Sequence, residues 1–327
     1  MTTSRILGTG RALPGKVLTN LDLERMVETS DDWIRERTGI RERRVLEDGR
    51  VNSDLAAEAG KQACEAAGIA PTELDCIILA TVTPDMPFPA AAVSVQQKMG
   101  ARPGIPAFDL AAACAGFLYA LSVGDAFVRA GQYKRVLVVG VEVLTRITDW
   151  KDRNTCVLFG DGAGAVVLGP GDAGRGILST HLYADAVGIE ALNLPGGGSK
   201  TPSSAASIDG NLHTIKMNGK IVFTHAVKNL ASACQAALAA NGVTGADVTL
   251  VVPHQANLRI LAGVSERLGL PMDKFHINIE KYGNTSSASV PIALDEAVRD
   301  GKVKKDDLLL FCALGAGFSW GSALVRW

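Results

Sequence analysis

The stretch DLAAACAGFLYAL (109–121) sets one cysteine, Cys114, among alanines and a glycine, where a short apolar run gives way to a helix. Free N–H groups and the dipole at a helix start stabilise a thiolate, and small neighbours let other groups approach closely. A thiolate so placed is a nucleophile for a carbonyl carbon. A core cysteine acting as a small hydrophobe is the competing interpretation, and the stretch alone leaves both open. Three other places offer what a thiolate needs. His254, in VTLVVPHQANLRI (248–260), follows a buried strand closed by Pro253, so it faces the crevice at the strand's carboxyl end. Gly283-Asn284, in INIEKYGNTSSASVP (277–291), forms a tight turn before a helix and brings an amide able to donate hydrogen bonds. LGAGFSWGSALVRW (314–327) follows the final long apolar run, and the backbone N–H groups of Gly315, Ala316 and Gly317 can face an oxyanion. Singly, each has a plain alternative: a satisfied loop histidine, an ordinary turn, a strand connection. His181, His213, His225 and His276 lack such a setting, and packing accounts for Cys64, Cys76, Cys156, Cys234 and Cys312.

The elements that must position these residues come twice. KQACEAAGIAPTELDCIILATVTP (61–84) and ASACQAALAANGVTGADVTLVVPHQ (231–255) both run from a helix end through a glycine turn and an aspartate into an apolar strand. Asp75 and Asp247 lie 172 residues apart, while the runs KRVLVVG (134–140) and DLLLFCA (307–313) lie 173 apart, as do Ala120-Leu121 and Ala293-Leu294. Three anchors at nearly one offset predict two similar halves, 1–172 and 173–327, joined near GPGDAGRG (169–176). Each half alternates amphipathic helices with runs of Val, Ile and Leu, which predicts an α/β fold of parallel-type sheets covered by helices. One helix is predicted over 53–68, with Ser53 as its N-cap and Leu55, Ala56, Ala59, Ala63 and Ala67 facing the core. PGGGSKTPSSAAS (195–207) is predicted as a surface loop. The offset pairs Cys114-Ala115 with Ser287-Ala288, so two helix starts should point at one centre.

Composition removes several classes. The chain of 327 residues is 47% hydrophobic and 20% charged, with net charge −1, so no global field recruits nucleic acid or an anionic membrane. Six scattered cysteines without a CxxC pair fit reduced thiols better than a zinc site or a disulfide framework. Neither a signal-peptide pattern at MTTSRILGTGRALPG nor a membrane-length apolar run is present, so the expected location is the cytoplasm. FGDGAGAVVL (159–168) has dinucleotide-loop glycines, but Ala165–Leu168 reads as a strand where that motif needs a helix.

In order along the chain, AAACAGF, PHQAN, YGNTSSASVP and GAGFSWGSALV resemble the β-ketoacyl-[acyl-carrier-protein] synthase III family of the thiolase superfamily. The likeness runs from DWIRERTGIRERR (32–44) to the C-terminus. The resemblance implies a duplicated, five-layered αβαβα fold working as a homodimer. It implies that Cys114 takes the acyl group of a short acyl-CoA, acetyl-CoA in the first place. His254 and Asn284 then stabilise the enolate formed by decarboxylation of malonyl-acyl carrier protein, which attacks acyl-Cys114. The backbone of Cys114 and of Gly315–Gly317 would serve as oxyanion hole. Coenzyme A is a substrate, and no cofactor, metal, nucleic acid or membrane is implied. Trp33, Arg37 and Arg153 match the coenzyme A-binding residues, Gly219 and Asn257 the pantetheine tunnel, Phe88 a residue reaching the partner's acyl pocket, and Arg259 and Arg267 a docking patch for the carrier protein.

The chain departs from the family pattern at Ala316, between two glycines where a third is usual, and at Leu314, where a Phe can occur; both bear on primer choice. Thr224 and Glu266 replace docking lysines. The alternative on the same fold is a sister acyltransferase, or a primer-specific condensing enzyme of a secondary-metabolite pathway. A second catalytic Cys would mark a thiolase, and a second His an elongating synthase. A papain-like hydrolase would lack the duplication, and a non-catalytic binding module would have no use for all three groups.

Overall fold

The structure is a computed structural model that describes residues 3–172 and 174–327. Residue 173, where the second half is expected to begin, lies outside the described residues.

The first sheet holds β1 (Thr3–Ala12), β2 (Cys76–Ala80), β3 (Ala107–Leu110), β4 (Val136–Val143) and β5 (Asp161–Gly171), in the order β1-β5-β4-β2-β3. The second holds β6 (Gly176–Ala184), β7 (Leu250–Pro253), β8 (Leu308–Gly315) and β9 (Ser319–Arg326), ordered β6-β9-β8-β7. The two orders are one topology repeated: β1 answers β6, β5 answers β9, β4 answers β8 and β2 answers β7. In each sheet the last two of these pair in parallel and the others antiparallel.

Alternation along the strands builds the layers. In β2, Cys76, Ile78 and Ala80 face one core while Ile77 and Leu79 face another. In β8, Leu309, Phe311 and Ala313 face that same first core, and Leu308, Leu310, Cys312 and Leu314 face a third. Both faces of both sheets are therefore apolar, which is why these strands read as continuous hydrophobic runs. The shared core contains α3 (Gly116–Arg129) and α6 (Ser289–Arg299), sandwiched between the sheets. The helices α1 (Asn52–Ala66) and α2 (Ala91–Met99) cover the outer face of the first sheet, and α4 (Gly219–Ala240) and α5 (Leu258–Leu268) that of the second. The result is the five-layered αβαβα thiolase fold.

Several local expectations change. The first outer helix starts at Asn52, and the Val51 amide at its cap donates to Asp54 Oδ2 at 2.8 Å. Ser53 is thus inside the helix, and its hydroxyl donates to Asp85 Oδ2 at 2.5 Å, so it is not the N-cap. Residues 195–207 are mostly exposed, but their end forms a short helix, Ala205–Asp209, capped by Ser204. Residues 161–171 are a strand, as expected, where a dinucleotide loop would need a helix.

The two central helices are entered through matching turns, Ala113–Ala115 and Ser286–Ala288. Ala113 (φ 45°) and Ser286 (φ 49°), 173 residues apart, both adopt the left-handed conformation. Each costs about 1–3 kcal/mol, which surrounding contacts must over-determine. One such contact is steric: a Cβ on Gly140, in β4, would run into the carbonyl of Ser287. Gly140→Ala should therefore push the Ser286–Ala288 turn off β4 and destabilise the fold by about 2–3 kcal/mol, whereas an ordinary surface change stays within about 0.5. Gly198, with nothing near its added Cβ, is the control, and denaturant unfolding of both variants measures the difference.

Candidate active site

Cys114 is buried at the middle of its turn, two residues before the helix proper. The Gly-Ala-Gly turn reaches it from β8: a Cβ on Gly315 would lie 2.5 Å from the Cys114 amide nitrogen and 3.0 Å from Ala113 Cβ. A glycine is what lets the end of that strand press against the Cys114 backbone. The expected resting thiolate is corrected by the structure. Burial pushes the thiol up to about 12; hydrogen bonding to Ser286 pulls it down, and the nearby Glu142 carboxylate pushes it up further. Desolvation outweighs the helix start because the charge would be held away from water.

His254 directly follows β7 and is also buried. Its amide donates to the Cys312 carbonyl of β8 at 2.7 Å, three residues before Gly315. Burial lowers the imidazole to about 3, so the ring is neutral, with one donor and one acceptor nitrogen. Its Nδ1 has no hydrogen-bond partner among the described residues. Asn284 is held by its backbone, its amide donating to the Leu158 carbonyl at 2.8 Å while its own carbonyl accepts from Gly160 at 3.0 Å. Its Oδ1 accepts from the Ser286 amide at 2.9 Å, which fixes the side chain with its NH2 as the remaining donor. A neutral imidazole and an oriented amide suit stabilisation of a developing enolate, where a permanent charge is not needed.

Cys114, Ser286 and Ala316 share a largely apolar cavity of about 160 Å³, walled by Phe159, Leu192, Ile215 and neighbours. A void of about 150 Å³ holds a benzene ring, so this space accepts an acyl group of a few carbons. Leu314, expected in the acyl pocket, is not on its wall. Alternation along β8 sends it, with Cys312, into the outer core beside Phe318. Phe88 stands in a loop with 82% of its surface exposed, away from its own subunit's cavity wall.

Trp33, Arg37 and Arg153 do come together: the two guanidinium carbons lie 4.7 and 5.0 Å from the Trp33 ring centroid. A planar ligand stacking there would displace a cation from the ring. Asn257 caps α5, its Oδ1 accepting from the Arg259 amide at 2.8 Å, and its NH2 donates to the Arg37 carbonyl at 2.9 Å. It thus joins the Trp33 helix to α5. Gly219 opens α4 at the surface, and only Met217 Cε, at 3.8 Å, is near its added Cβ, so packing does not demand glycine there. Arg259 and Arg267 are exposed on α5. Ser286, the cavity wall and Glu142 were not among the residues expected here; a lone acid inside the apolar run VLVVGVEV (136–143) is the signal in the chain for the last.

Comparison with known proteins extends the likeness over the whole chain. The family model described as 3-oxoacyl-[acyl-carrier-protein (ACP)] synthase III matches residues 108–186, and its C-terminal counterpart matches 238–327. The β-ketoacyl-[acyl-carrier-protein] synthase III of Caldanaerobacter subterraneus subsp. tengcongensis is 52% identical over 322 residues, covering 98% of this chain and 97% of that protein. The crystal structure of 3-oxoacyl-[acyl-carrier-protein] synthase III from Aquifex aeolicus VF5 superposes with a TM-score of 0.91 at 46% identity, covering 99% of this chain and 100% of that one. The priming β-ketosynthase from the R1128 polyketide biosynthetic pathway superposes with a TM-score of 0.92 at 36% identity, covering 99% and 96%. With its repeated topology and these matches, the chain belongs to the 3-oxoacyl-[acyl-carrier-protein] synthase III family.

Proposed function

We propose that this condensing acyltransferase initiates fatty acid synthesis by joining a short acyl-CoA, acetyl-CoA in the first place, to malonyl-acyl carrier protein. The products are 3-ketoacyl-acyl carrier protein, coenzyme A and CO2. The observation that carries this is Cys114 on the wall of a small apolar cavity, with the Gly315 backbone against its amide. In the first half-reaction Cys114 Sγ attacks the acyl-CoA carbonyl, with the Cys114 and Gly315–Gly317 N–H groups facing the oxyanion. The C–S bond to coenzyme A breaks, and coenzyme A leaves with the proton of the Cys114 thiol. In the second, the malonyl carboxylate leaves as CO2 and its C–C bond pair becomes an enolate, bonded by N–H donors of His254 and Asn284. The enolate carbon attacks acyl-Cys114, and the released thiolate takes up a proton. No metal or cofactor enters, because loss of CO2 generates the carbanion.

The halves 1–172 and 173–327 then supply the nucleophile and the His/Asn pair respectively, and the repeated topology supports that division. Coenzyme A would lie along Trp33, Arg37 and Arg153 and past Asn257 and Gly219, and the carrier protein would dock at Arg259 and Arg267. The enzyme would act in the cytoplasm as a homodimer, with Phe88 closing the partner's cavity; its exposure supports an apolar contact there. Among the described residues no helix is long and apolar enough to cross a membrane. A pathway-specific primer synthase is the less favoured alternative, since the R1128 enzyme shares 36% identity against 46–52% for the synthases named above.

Incubation with acetyl-CoA should add one acetyl group at Cys114, seen by peptide mass spectrometry, and malonyl-acyl carrier protein should discharge it with release of CO2. Acetyl-Cys114 that persists in the presence of malonyl-acyl carrier protein would instead indicate an acyltransferase without decarboxylation. His254→Ala and Asn284→Ala should keep acetylation but lose about 10²–10³-fold in condensation, the usual loss on removing an oxyanion donor. With the thiol pushed up and the imidazole down, neither group titrates near neutrality. Alkylation of Cys114 by iodoacetamide should therefore keep rising to about pH 9 without a plateau, because only the thiolate reacts. A plateau below neutrality would mean a thiolate–imidazolium pair.

A further inference from the structure

Glu142 is fully buried near the end of β4, and among the described residues no cation lies within 4 Å of its carboxylate. Neutral donors from two separate segments converge on it. From the loop after β2 come the Val82 amide (3.1 Å) and the hydroxyls of Thr81 (3.3 Å) and Thr83 (2.6 Å). From the turn before α6 come the hydroxyls of Ser286 (3.3 Å) and Ser287 (3.1 Å). Thr83 Oγ1 in turn accepts from the Val143 amide at 2.8 Å, and Ser287 also lies 2.9 Å from the Ala80 carbonyl. One carboxylate therefore ties the loop that leads to Phe88 to the turn that follows Asn284.

Ser286 is the shared member. Its amide orients Asn284, its hydroxyl reaches Glu142, and the same hydroxyl is the side-chain hydrogen-bond partner that favours the Cys114 thiolate. A hydroxyl has one proton to donate. A carboxylate is the stronger claimant, since hydrogen bonds to ionised acceptors are roughly twice as strong as neutral ones. We propose that Glu142 is a positioning residue of this enzyme, which fixes the Ser286 turn between the two halves and whose charge sets how readily Cys114 gives up its proton.

Two effects of the carboxylate act in the same direction on Cys114: it repels the thiolate, and it draws the Ser286 proton away. Burial also lifts Glu142 itself to about 7, so its charge changes in the working range. Of the titratable groups nearby, Cys114 faces it from the nucleophile turn, whereas Asp161 of β5 pairs with Val143 and so lies on the opposite face of the sheet. Asp161 is already engaged by the Leu46 amide at 2.8 Å and by Thr145. The hydrogen-bonding groups that β2, α1, α6 and the Ser286 turn bring to this junction are hydroxyls and amides. Deprotonation of Glu142 thus makes Cys114 harder to ionise, with no nearby cation to offset it.

The inference rests on Cys114 being the nucleophile, and alkylation tests it apart from turnover. Rates of Cys114 alkylation by iodoacetamide are measured against pH for the wild type, Glu142→Gln, Glu142→Asp, Ser286→Ala and the Glu142→Gln/Ser286→Ala double variant, with melting temperatures alongside. In the wild type log rate should still climb to about pH 9, but with a shoulder around neutrality, where Glu142 ionises, before the rise resumes, and Glu142→Asp should keep that bend. Glu142→Gln should follow a straight line and react about tenfold faster above the bend, a shift of about one unit in thiol ionisation. Ser286→Ala should react more slowly, and Glu142→Gln should accelerate the double variant less than the wild type. A Glu142→Gln profile that superimposes on the wild type, in a protein of unchanged melting temperature, overturns the proposal. Should Glu142→Gln fail to fold, a Glu142→Asp or Ser286→Ala protein that is folded but gives no bend and no rate change, respectively, overturns it equally. Failure of Cys114 to accept any acyl group would instead refute the proposed function, a result this series does not imitate.

Discussion

The approach of two three-residue turns at the centre of the molecule governs most of what surrounds it. Ala113–Ala115 and Ser286–Ala288 each carry one residue in the left-handed region and each launch a helix that is buried between the sheets. Each also presses on a strand glycine of the other half, Ser287 on Gly140 and Cys114 on Gly315, at separations that leave no room for a side chain. Such closeness is possible only because the two halves share one topology, which brings equivalent helix starts to a common middle layer. The strain of both turns is carried by the sheets on either side, whose strands are apolar on both faces and cannot shift without opening a core.

The same enclosure sets the electrostatics. Excluding water from Cys114 and His254 keeps both neutral, the thiol pushed up and the imidazole pushed down. A dry site strengthens every hydrogen bond that a transition-state charge will meet. The cost is a thiol at Cys114 that ionises less readily, which makes the few polar groups inside the site decisive. Ser286 and Glu142 are the ones that reach Cys114, and both owe their positions to contacts between the halves.

Around this centre the binding features are graded by how firmly they are built. Trp33, Arg37 and Arg153 form a preassembled surface cluster, linked to α5 through Asn257. The cavity beside Cys114 is small and apolar, so its walls restrict an occupant by volume instead of by polar recognition. Phe88, by contrast, stands exposed in a loop, off the cavity wall.

Much of this was legible in the chain itself. The offset of 172–173 residues revealed the duplication, and the apolar runs revealed strands buried on both faces. Small residues around Cys114, the proline before His254 and the Gly-Asn turn marked the three chemical groups. These are local signals, because residue type and spacing act over one turn or one strand. The sequence did not disclose that Leu314 points away from the cavity, that Ser53 serves Asp85 instead of capping a helix, or that Cys114 rests as a thiol. Nor did it show Glu142 gathering donors from residues 59–61 positions before it and 144–145 after it. Strand facing, desolvation and long-range hydrogen bonding depend on which segments lie across from one another. Only the tertiary arrangement decides that, since burial is a property of the neighbours a residue acquires and not of the residue.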